Sequence, residues 1–105
     1  MINILKQLFK SEPKPDYSEL LKNGGIIVDV RTKNEYAAGH IKGSKNIPLN
    51  SLNHNLAKLK KKDQSIITCC ASGMRSGSAK SILKNLGYTN VHNGGGWRNL
   101  ERKIS

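Results

Sequence analysis

The chain contains 105 residues, the length of one domain, and a chain of this size can bury a core without disulfide bonds. Recurring apolar runs exclude a disordered chain, and no run approaches the ~18 consecutive apolar residues that a membrane helix requires. The 18 Lys and Arg residues outnumber the 7 Asp and Glu residues, so the net charge of +11 attracts anions: nucleic acid, anionic lipid or a small anionic substrate.

The first fifteen residues differ from the rest of the chain. Apolar side chains between Met1 and Lys10 recur at helical spacing, and prolines at positions 13 and 15 then interrupt any helix. We therefore expect residues 1–15 to form an amphipathic segment and a linker, packed on their own domain or on a partner, and residues 16–105 to form the domain. The segment lacks the apolar core and the cleavage site of a signal peptide, so we expect a cytoplasmic protein.

The first half of the domain contains two predicted helices and two predicted strands. Residues 16–24 have a polar cap and a terminal glycine, which predict a short helix. Residues 26–30 form an apolar, β-branched run typical of a strand buried on both faces. Thr32 and Glu35 form a capping box that begins a second helix. Residues 46–48 predict only an edge strand, because a proline ends it.

The second half continues the alternation of helices and strands. Leucines at helical spacing predict a helix over 52–59, and residues 65–69 predict a second buried strand. A helix over 76–86 and a short strand over 89–92 follow, and a glycine run then leads into a terminal helix from Trp97. The apolar face predicted for the helix over 76–86 contains Ala79, Ile82, Leu83 and Leu86.

This element order predicts an α/β domain with a mostly parallel central sheet of about five short strands and helices on both faces. In such sheets ligands bind beyond the carboxyl ends of the strands. The loop that follows Cys69 lies at that edge of the sheet, so we expect the functional site there.

That loop places a thiol at a strand end, directly before a helix. Its backbone N–H groups can form a nest for an anion, and Gly73 permits the backbone conformation that such a curl requires. The helix N-terminus and the Arg75 charge lower the pKa of a nearby thiol and favour the nucleophilic thiolate. The candidate nucleophile is Cys70, and the candidate substrate-binding residues are Ala71, Ser72, Gly73, Met74, Arg75 and Ser76.

Three other interpretations of the polar residues are weaker. Buried cysteines are commonly small core residues, and we favour that role for Cys69, which lies inside the predicted strand. No metal site or cofactor is expected, because the histidines are scattered and the adjacent cysteines lack zinc-site spacing. A disulfide between the two cysteines would be strained. The lysines over 58–62 have no interleaved aromatic residues, so we interpret them as a solvated helix end and expect no nucleic-acid partner.

With these residues in hand, the chain resembles the single-domain rhodanese-like sulfurtransferases from about Leu20 to Trp97. The order and spacing of three sequence blocks make the resemblance specific. The blocks are Ile27–Arg31 with Glu35–Ile41, Gly43 and Asn46–Pro48; the six-residue loop Cys70–Arg75; and Asn93–Trp97.

The resemblance implies a three-layer rhodanese-like domain and a double-displacement reaction. The Cys70 thiolate would take a sulfane sulfur from a small anionic donor such as thiosulfate, or from a persulfide, including one on a protein. It would pass the sulfur from its own persulfide to a thiol, or to cyanide. The resemblance also makes Arg31 a candidate pocket residue, whereas Asp29 and His40 belong to motifs that organise the fold and Trp97 is expected in the core. The oligomeric state is left open.

Two rival functions remain open. Related Cys-based phosphatases and arsenate reductases have five residues between cysteine and arginine, a spacing that Cys69 and Arg75 satisfy, whereas four residues separate Cys70 from Arg75. The position of Cys69 inside the strand favours Cys70. The second rival is a non-catalytic rhodanese-like interaction module, but modules of that kind typically lose the cysteine that this chain retains.

Overall fold

The computed structural model describes residues 15–105, so the predicted amphipathic segment lies outside the described residues except for residue 15. These residues form four strands, four α-helices and two short 3₁₀ helices. In chain order they are α1 (Tyr17–Lys22), β1 (Ile26–Asp29), α2 (Lys33–Ala38), β2 (Lys45–Asn46), the 3₁₀ helices Leu49–His54 and Leu56–Lys58, β3 (Ile66–Cys70), α3 (Met74–Asn85), β4 (Val91–Gly96) and α4 (Trp97–Ile104).

The strands form one parallel sheet in the order β2-β1-β3-β4, which confirms the predicted α/β class. The sheet contains four strands within residues 15–105, against the prediction of about five. Because β1 and β3 are central, they are covered on both faces, and their buried residues are nearly all apolar. The carboxyl ends of β1, β3 and β4 therefore meet at one edge of the sheet.

Two apolar clusters cover the two faces of the sheet. On one face, a cluster that also contains Cys70 is formed by Leu52 of the first 3₁₀ helix, by Leu59 just after the second, and by Ala79 and Leu83 of α3. On the other face, α1 and α4 pack on a second cluster, whose buried members are Ile27, Ile41, Ile67, Cys69 and Leu100. This arrangement confirms the prediction of helices on both faces and gives the domain its three layers.

Several predicted boundaries differ from the structure. The helix predicted over 52–59 is two 3₁₀ helices broken at Asn55, since this Asn-rich stretch has weak helix propensity. The strand predicted over 89–92 continues to Gly96, because pairing with β3 keeps the glycine run extended. Leu86, predicted on the buried face of α3, caps the helix and is exposed.

The capping box forms as predicted, with Thr32 Oγ1 accepting from the Glu35 backbone N–H and the Glu35 carboxylate accepting from the Thr32 backbone N–H. No helix within residues 15–105 combines the length and the apolar character needed to cross a bilayer.

Candidate active site

The two adjacent cysteines at the end of β3 lie on opposite faces of the sheet. β3 extends one residue further than predicted and includes Cys70, so strand membership does not separate the two thiols. What separates them is side-chain alternation along the strand, which places Cys70 in the cluster beneath α3 and Cys69 in the cluster beneath α4. Both side chains are buried and both thiols are free.

The Cys70 thiol lies in a cradle formed by the loop before α3. The Gly73 backbone N–H donates to Cys70 Sγ over 2.9 Å, and the thiol lies 3.3 Å from Ser76 Oγ. Gly73 precedes the first residue of α3 and has a φ of +107°, a conformation that favours glycine and turns its N–H toward the sulfur. The thiol therefore lies at the N-terminal end of a 12-residue helix, as the sequence predicted.

The hydrogen bonds of this cradle favour the thiolate. Burial raises the pKa of Cys70, but the Ser76 hydroxyl and the backbone N–H groups of Ser76, Gly73 and Ser72 outweigh it, so the pKa is lower than that of a free thiol. The result for Cys69 is the reverse. Burial, followed by the charge of the nearby Asp29 carboxylate, raises the pKa of Cys69 well above the ordinary range.

Asn93 is part of the cradle although the sequence analysis placed it only in a family motif. Its Oδ1 accepts from Ser76 Oγ over 2.7 Å and from the Gly95 backbone N–H over 2.9 Å, and its Nδ2 donates to the Gly73 carbonyl over 3.2 Å. The Asn93 side chain thus links the glycine run of β4 to both Gly73 and Ser76. The feature of the sequence that could have indicated this role is an asparagine directly before three consecutive glycines.

The glycine run also lets β4 pass close beneath the loop. A Cβ atom on Gly96 would lie 3.0 Å from the Ala71 carbonyl oxygen, a contact that would push the loop outward. The glycine-rich block Asn93–Trp97 therefore packs directly against the cysteine loop in the folded chain.

Arg75 pairs with the acid of the capping box. Its Nη1 and Nη2 donate to the two carboxylate oxygens of Glu35 over 2.7 and 2.9 Å, the bidentate geometry that arginine forms with carboxylates. Hydrogen bonding from Arg75, and then from the Thr32 backbone, lowers the pKa of Glu35 to about 2. The pKa of Arg75 is raised, mainly by its hydrogen bonds to Glu35 and to a smaller extent by attraction to Cys70. α3 begins at Met74, two residues before the predicted start, so the ion pair ties the first turn of α3 to α2.

Arg31, the candidate pocket residue, lies in a buried ion pair. Its guanidinium donates to the Asp29 carboxylate over 2.7 Å and to the Gly39 carbonyl over 2.7 Å, and it lies 4.7 Å from the centre of the Trp97 ring. The side chain is 5% exposed and that of Asp29 is fully buried. This contact set holds the segment after β1 against α4, on the Cys69 face.

The remaining predicted residues surround the site at different depths. Ala71, Ser72 and Met74 are exposed at the rim, Met74 with 82% of its surface accessible. His40 Nδ1 lies 2.7 Å from the Tyr36 carbonyl oxygen, and the two rings stack.

No cluster of three His, Cys, Asp or Glu side chains suited to a metal ion occurs in the described part of the chain.

Comparison with known proteins supports the same family. The family model described as a rhodanese-like domain matches residues 14–103. Thiosulfate sulfurtransferase PspE of Escherichia coli (strain K12) is 36% identical over 74 residues, which cover 70% of this chain and 71% of that protein. The human thiosulfate:glutathione sulfurtransferase is 31% identical over 93 residues, which cover 75% of this chain and 81% of that protein.

A solved structure agrees with these relatives. A structure described as a rhodanese with anions from E. coli superposes with a TM-score of 0.67 at 36% identity, and the match covers 71% of this chain and 89% of that one. The family predicted from three sequence blocks is thereby confirmed. The chain belongs to the rhodanese-like domain family and is a sulfurtransferase of the rhodanese type.

Proposed function

We propose that this enzyme carries a sulfane sulfur as a persulfide on Cys70, taking it from thiosulfate or a persulfide donor and passing it to a thiol acceptor. The observation that carries the proposal is the cradle around Cys70 Sγ, in which the Gly73 N–H lies 2.9 Å from the sulfur and the Ser76 hydroxyl lies 3.3 Å from it. The Gly73 N–H stabilises a negative charge on sulfur, and the Ser76 hydroxyl does so when its proton turns from Asn93 Oδ1 to the thiolate. Sulfur transfer requires a sulfur anion before and after each step.

The first half of the reaction loads the enzyme. The Cys70 thiolate attacks the outer sulfur of thiosulfate, a new S–S bond forms, and sulfite leaves with the electron pair of the broken S–S bond. The persulfide keeps one negative charge on its terminal sulfur. Backbone N–H groups of the loop and the N-terminus of α3 are the groups available to stabilise that charge.

The second half returns the enzyme to its starting state. An acceptor thiolate attacks the terminal sulfur, the bond between the two sulfurs of the persulfide breaks, and the Cys70 thiolate is regenerated with that electron pair. Cyanide attacks the same atom in an assay. All atoms and electrons balance between donor, cysteine and acceptor, so the reaction needs no cofactor or metal. A protein persulfide is a further donor under this proposal.

A cytoplasmic location is part of the proposal. Two features support other details of it. The similar E. coli rhodanese was solved with anions, which agrees with a loop that binds anions. The name of the human relative agrees with a small thiol as acceptor.

The geometry gives less support to the rivals. A phosphatase reaction through Cys69 would need that thiol inside the loop, but Cys69 packs with Ile41 and Leu100 on the opposite face of the sheet. A binding module has no need for a hydrogen-bonded thiol at a helix N-terminus. Both features favour sulfur transfer at Cys70.

The test is the intact mass of the reduced protein after incubation with thiosulfate. We expect one added sulfur atom in the wild type and in Cys69→Ser, and none in Cys70→Ser. The added sulfur should disappear on exposure to cyanide. An adduct that persists in Cys70→Ser and is lost in Cys69→Ser would overturn the proposal.

A further inference from the structure

The hydroxyl of Ser76 joins Cys70 to a side chain on another strand. Ser76 is fully buried, and its Oγ lies 3.3 Å from Cys70 Sγ and 2.7 Å from Asn93 Oδ1. A hydroxyl has one proton to donate, and the shorter contact assigns that proton to Asn93 while Cys70 is a thiol. The thiol then donates its own proton to Ser76 Oγ, so the three side chains form a chain of hydrogen bonds that ends at an exposed residue.

The Asn93 amide is itself held by backbone groups on two sides of the cradle. Its Oδ1 accepts a second hydrogen bond from the Gly95 backbone N–H over 2.9 Å, and its Nδ2 donates to the Gly73 carbonyl over 3.2 Å. Because Oδ1 keeps the Gly95 donor, it still has a hydrogen-bond partner when the Ser76 proton turns elsewhere. Asn93 can therefore accept the Ser76 proton in one state of the enzyme and release it in another.

The charge on Cys70 Sγ changes during the proposed cycle, whereas the groups that contact this atom are fixed. The Gly73 N–H donates to Sγ over 2.9 Å, and Ser76 Oγ lies close enough for its hydroxyl to turn to the same atom. In the thiolate the negative charge is on Sγ. In the persulfide the charge is on the terminal sulfur, about 2 Å further along the new S–S bond, and Sγ is uncharged. The Ser76 hydroxyl therefore has an anionic partner before loading and again when Sγ leaves the terminal sulfur.

We propose that Ser76 is a catalytic residue of the acceptor step and that Asn93 is its positioning residue. This inference rests on the proposed function. As the acceptor thiolate bonds to the terminal sulfur, the bond between that sulfur and Cys70 Sγ breaks, and Sγ takes the electron pair. The Ser76 hydroxyl turns from Asn93 Oδ1 to Sγ and stabilises the new charge, with no transfer of its proton. Until then, Asn93 keeps the hydroxyl oxygen 3.3 Å from Sγ.

The two half-reactions depend on the Ser76 hydroxyl in opposite ways. When sulfur is exchanged between thiols, a leaving thiol of lower pKa departs faster, whereas an attacking thiolate of lower pKa is less nucleophilic. A donor to Sγ therefore speeds the acceptor step, in which Sγ leaves. The same donor weakens the attack of the fully formed thiolate on thiosulfate. A residue that only supported the fold of the cradle would affect both steps in the same direction.

The first test times the two half-reactions separately. Reduced enzyme is mixed with thiosulfate at a pH above the Cys70 midpoint, and sulfur-loaded enzyme, freed of thiosulfate, is mixed with 2-mercaptoethanol. In Ser76→Ala the rate of unloading should fall about three- to tenfold, roughly half the worth of a hydrogen bond to a charged group, because the transition state carries only part of the charge. Loading should be no slower than in the wild type. Ser78→Ala, at an exposed position of α3, is the matched control and should change neither rate.

The second test asks whether Asn93 acts through Ser76. Asn93→Ala should slow unloading about two- to fourfold, a smaller effect than that of Ser76→Ala, because the Gly73 carbonyl at 3.1 Å remains as an acceptor for the Ser76 hydroxyl. In a Ser76→Ala background the same substitution should slow unloading by less than about twofold, since no hydroxyl is left to position. Asn85→Ala, at the exposed end of α3, is the matched control.

The intact mass of each variant after loading confirms that one sulfur is bound before the unloading rates are compared. Equal slowing of loading and unloading in Ser76→Ala would overturn the catalytic role of the hydroxyl. Equal slowing by Asn93→Ala with and without the Ser76 hydroxyl would overturn the positioning role. A wild-type enzyme that takes up no sulfur from thiosulfate would instead contradict the proposed function, a result that the loading measurement gives by itself.

Discussion

Cys69 and Cys70 are neighbours in sequence and are equally inaccessible to solvent, but the structure gives them opposite chemical environments. Cys69 faces a sheet surface covered by α4, where its nearest charged neighbours are Asp29 and Arg31. Cys70 faces the N-terminus of α3 and is surrounded by hydrogen-bond donors. The pKa of the first thiol is raised and that of the second is lowered.

The contrast shows that burial alone does not determine thiol reactivity. Both side chains lose water, which disfavours the thiolate in each case. Only Cys70 gains donors directed at its sulfur, because the loop after β3 curls around one face of the strand. Apolar clusters stabilise both faces, and under the proposed function the Cys70 face also carries the chemistry, so substitutions on the two faces should have different consequences.

The largest expected effect lies on the Cys69 face. Arg31→Met leaves the buried Asp29 carboxylate without its cation, which should lower the free energy of unfolding by about 3–5 kcal/mol. Urea unfolding measures the loss. Arg98→Met is the matched control, because Arg98 lies over the same Trp97 ring and has no acidic partner in the described chain. A loss below about 1 kcal/mol in Arg31→Met, or an equal loss in the control, would contradict the structural role assigned to this pair.

An intermediate effect is expected on the Cys70 face, in reactivity rather than stability. Ser76→Ala removes a hydroxyl that hydrogen-bonds the thiolate, a contribution of about 1.5 kcal/mol, so the pKa of Cys70 should rise. The rate of persulfide formation against pH should shift upward accordingly. Ser78→Ala, at an exposed position of the same helix, should leave the profile unchanged. If Ser76→Ala and wild type had the same dependence of rate on pH, the Ser76 hydroxyl would not stabilise the thiolate.

The smallest effect is expected where the Arg75–Glu35 ion pair joins α3 to α2. The pKa of Glu35 is about 2 in the folded chain against an ordinary 4.5, so its carboxylate stabilises the fold above that ordinary value. This contribution is lost as the pH falls from about 4.5 to about 2. The urea midpoint of Glu35→Gln should be slightly below that of wild type at pH 6, and the gap should narrow below about pH 4.5 and close only below about pH 2. Glu101→Gln, at an exposed position of α4, is the control. A gap that stays constant with pH would show that the Arg75 pair contributes nothing to stability.

Much of the fold was predictable from local patterns. The alternating elements gave the α/β class, and the capping box gave the start of α2. The cysteine loop was also identifiable, because a thiol, a glycine and an arginine at fixed spacing lie between a strand and a helix. These features depend on residues close together in the chain.

The rest depends on residues far apart in the chain. Arg75 pairs with Glu35 across 40 positions, and Asn93 reaches Ser76 across 17. No spacing rule predicts such contacts, because they follow from how β1, β3 and β4 are placed side by side. The face on which each cysteine lies also required the observed register, since the predicted strand ended one residue early and an irregularity occurs between Thr68 and Cys70.

The most direct test of the contrast is the rate at which each thiol of the folded, reduced protein is alkylated by iodoacetamide as a function of pH, with the modified residue assigned by peptide mass spectrometry. Cys70 should react with a midpoint below the value of about 8.5 for a free cysteine, and Cys69 should stay unmodified until the protein is unfolded. Alkylation of Cys69 as fast as that of Cys70, or a Cys70 midpoint at or above the free value, would contradict the account.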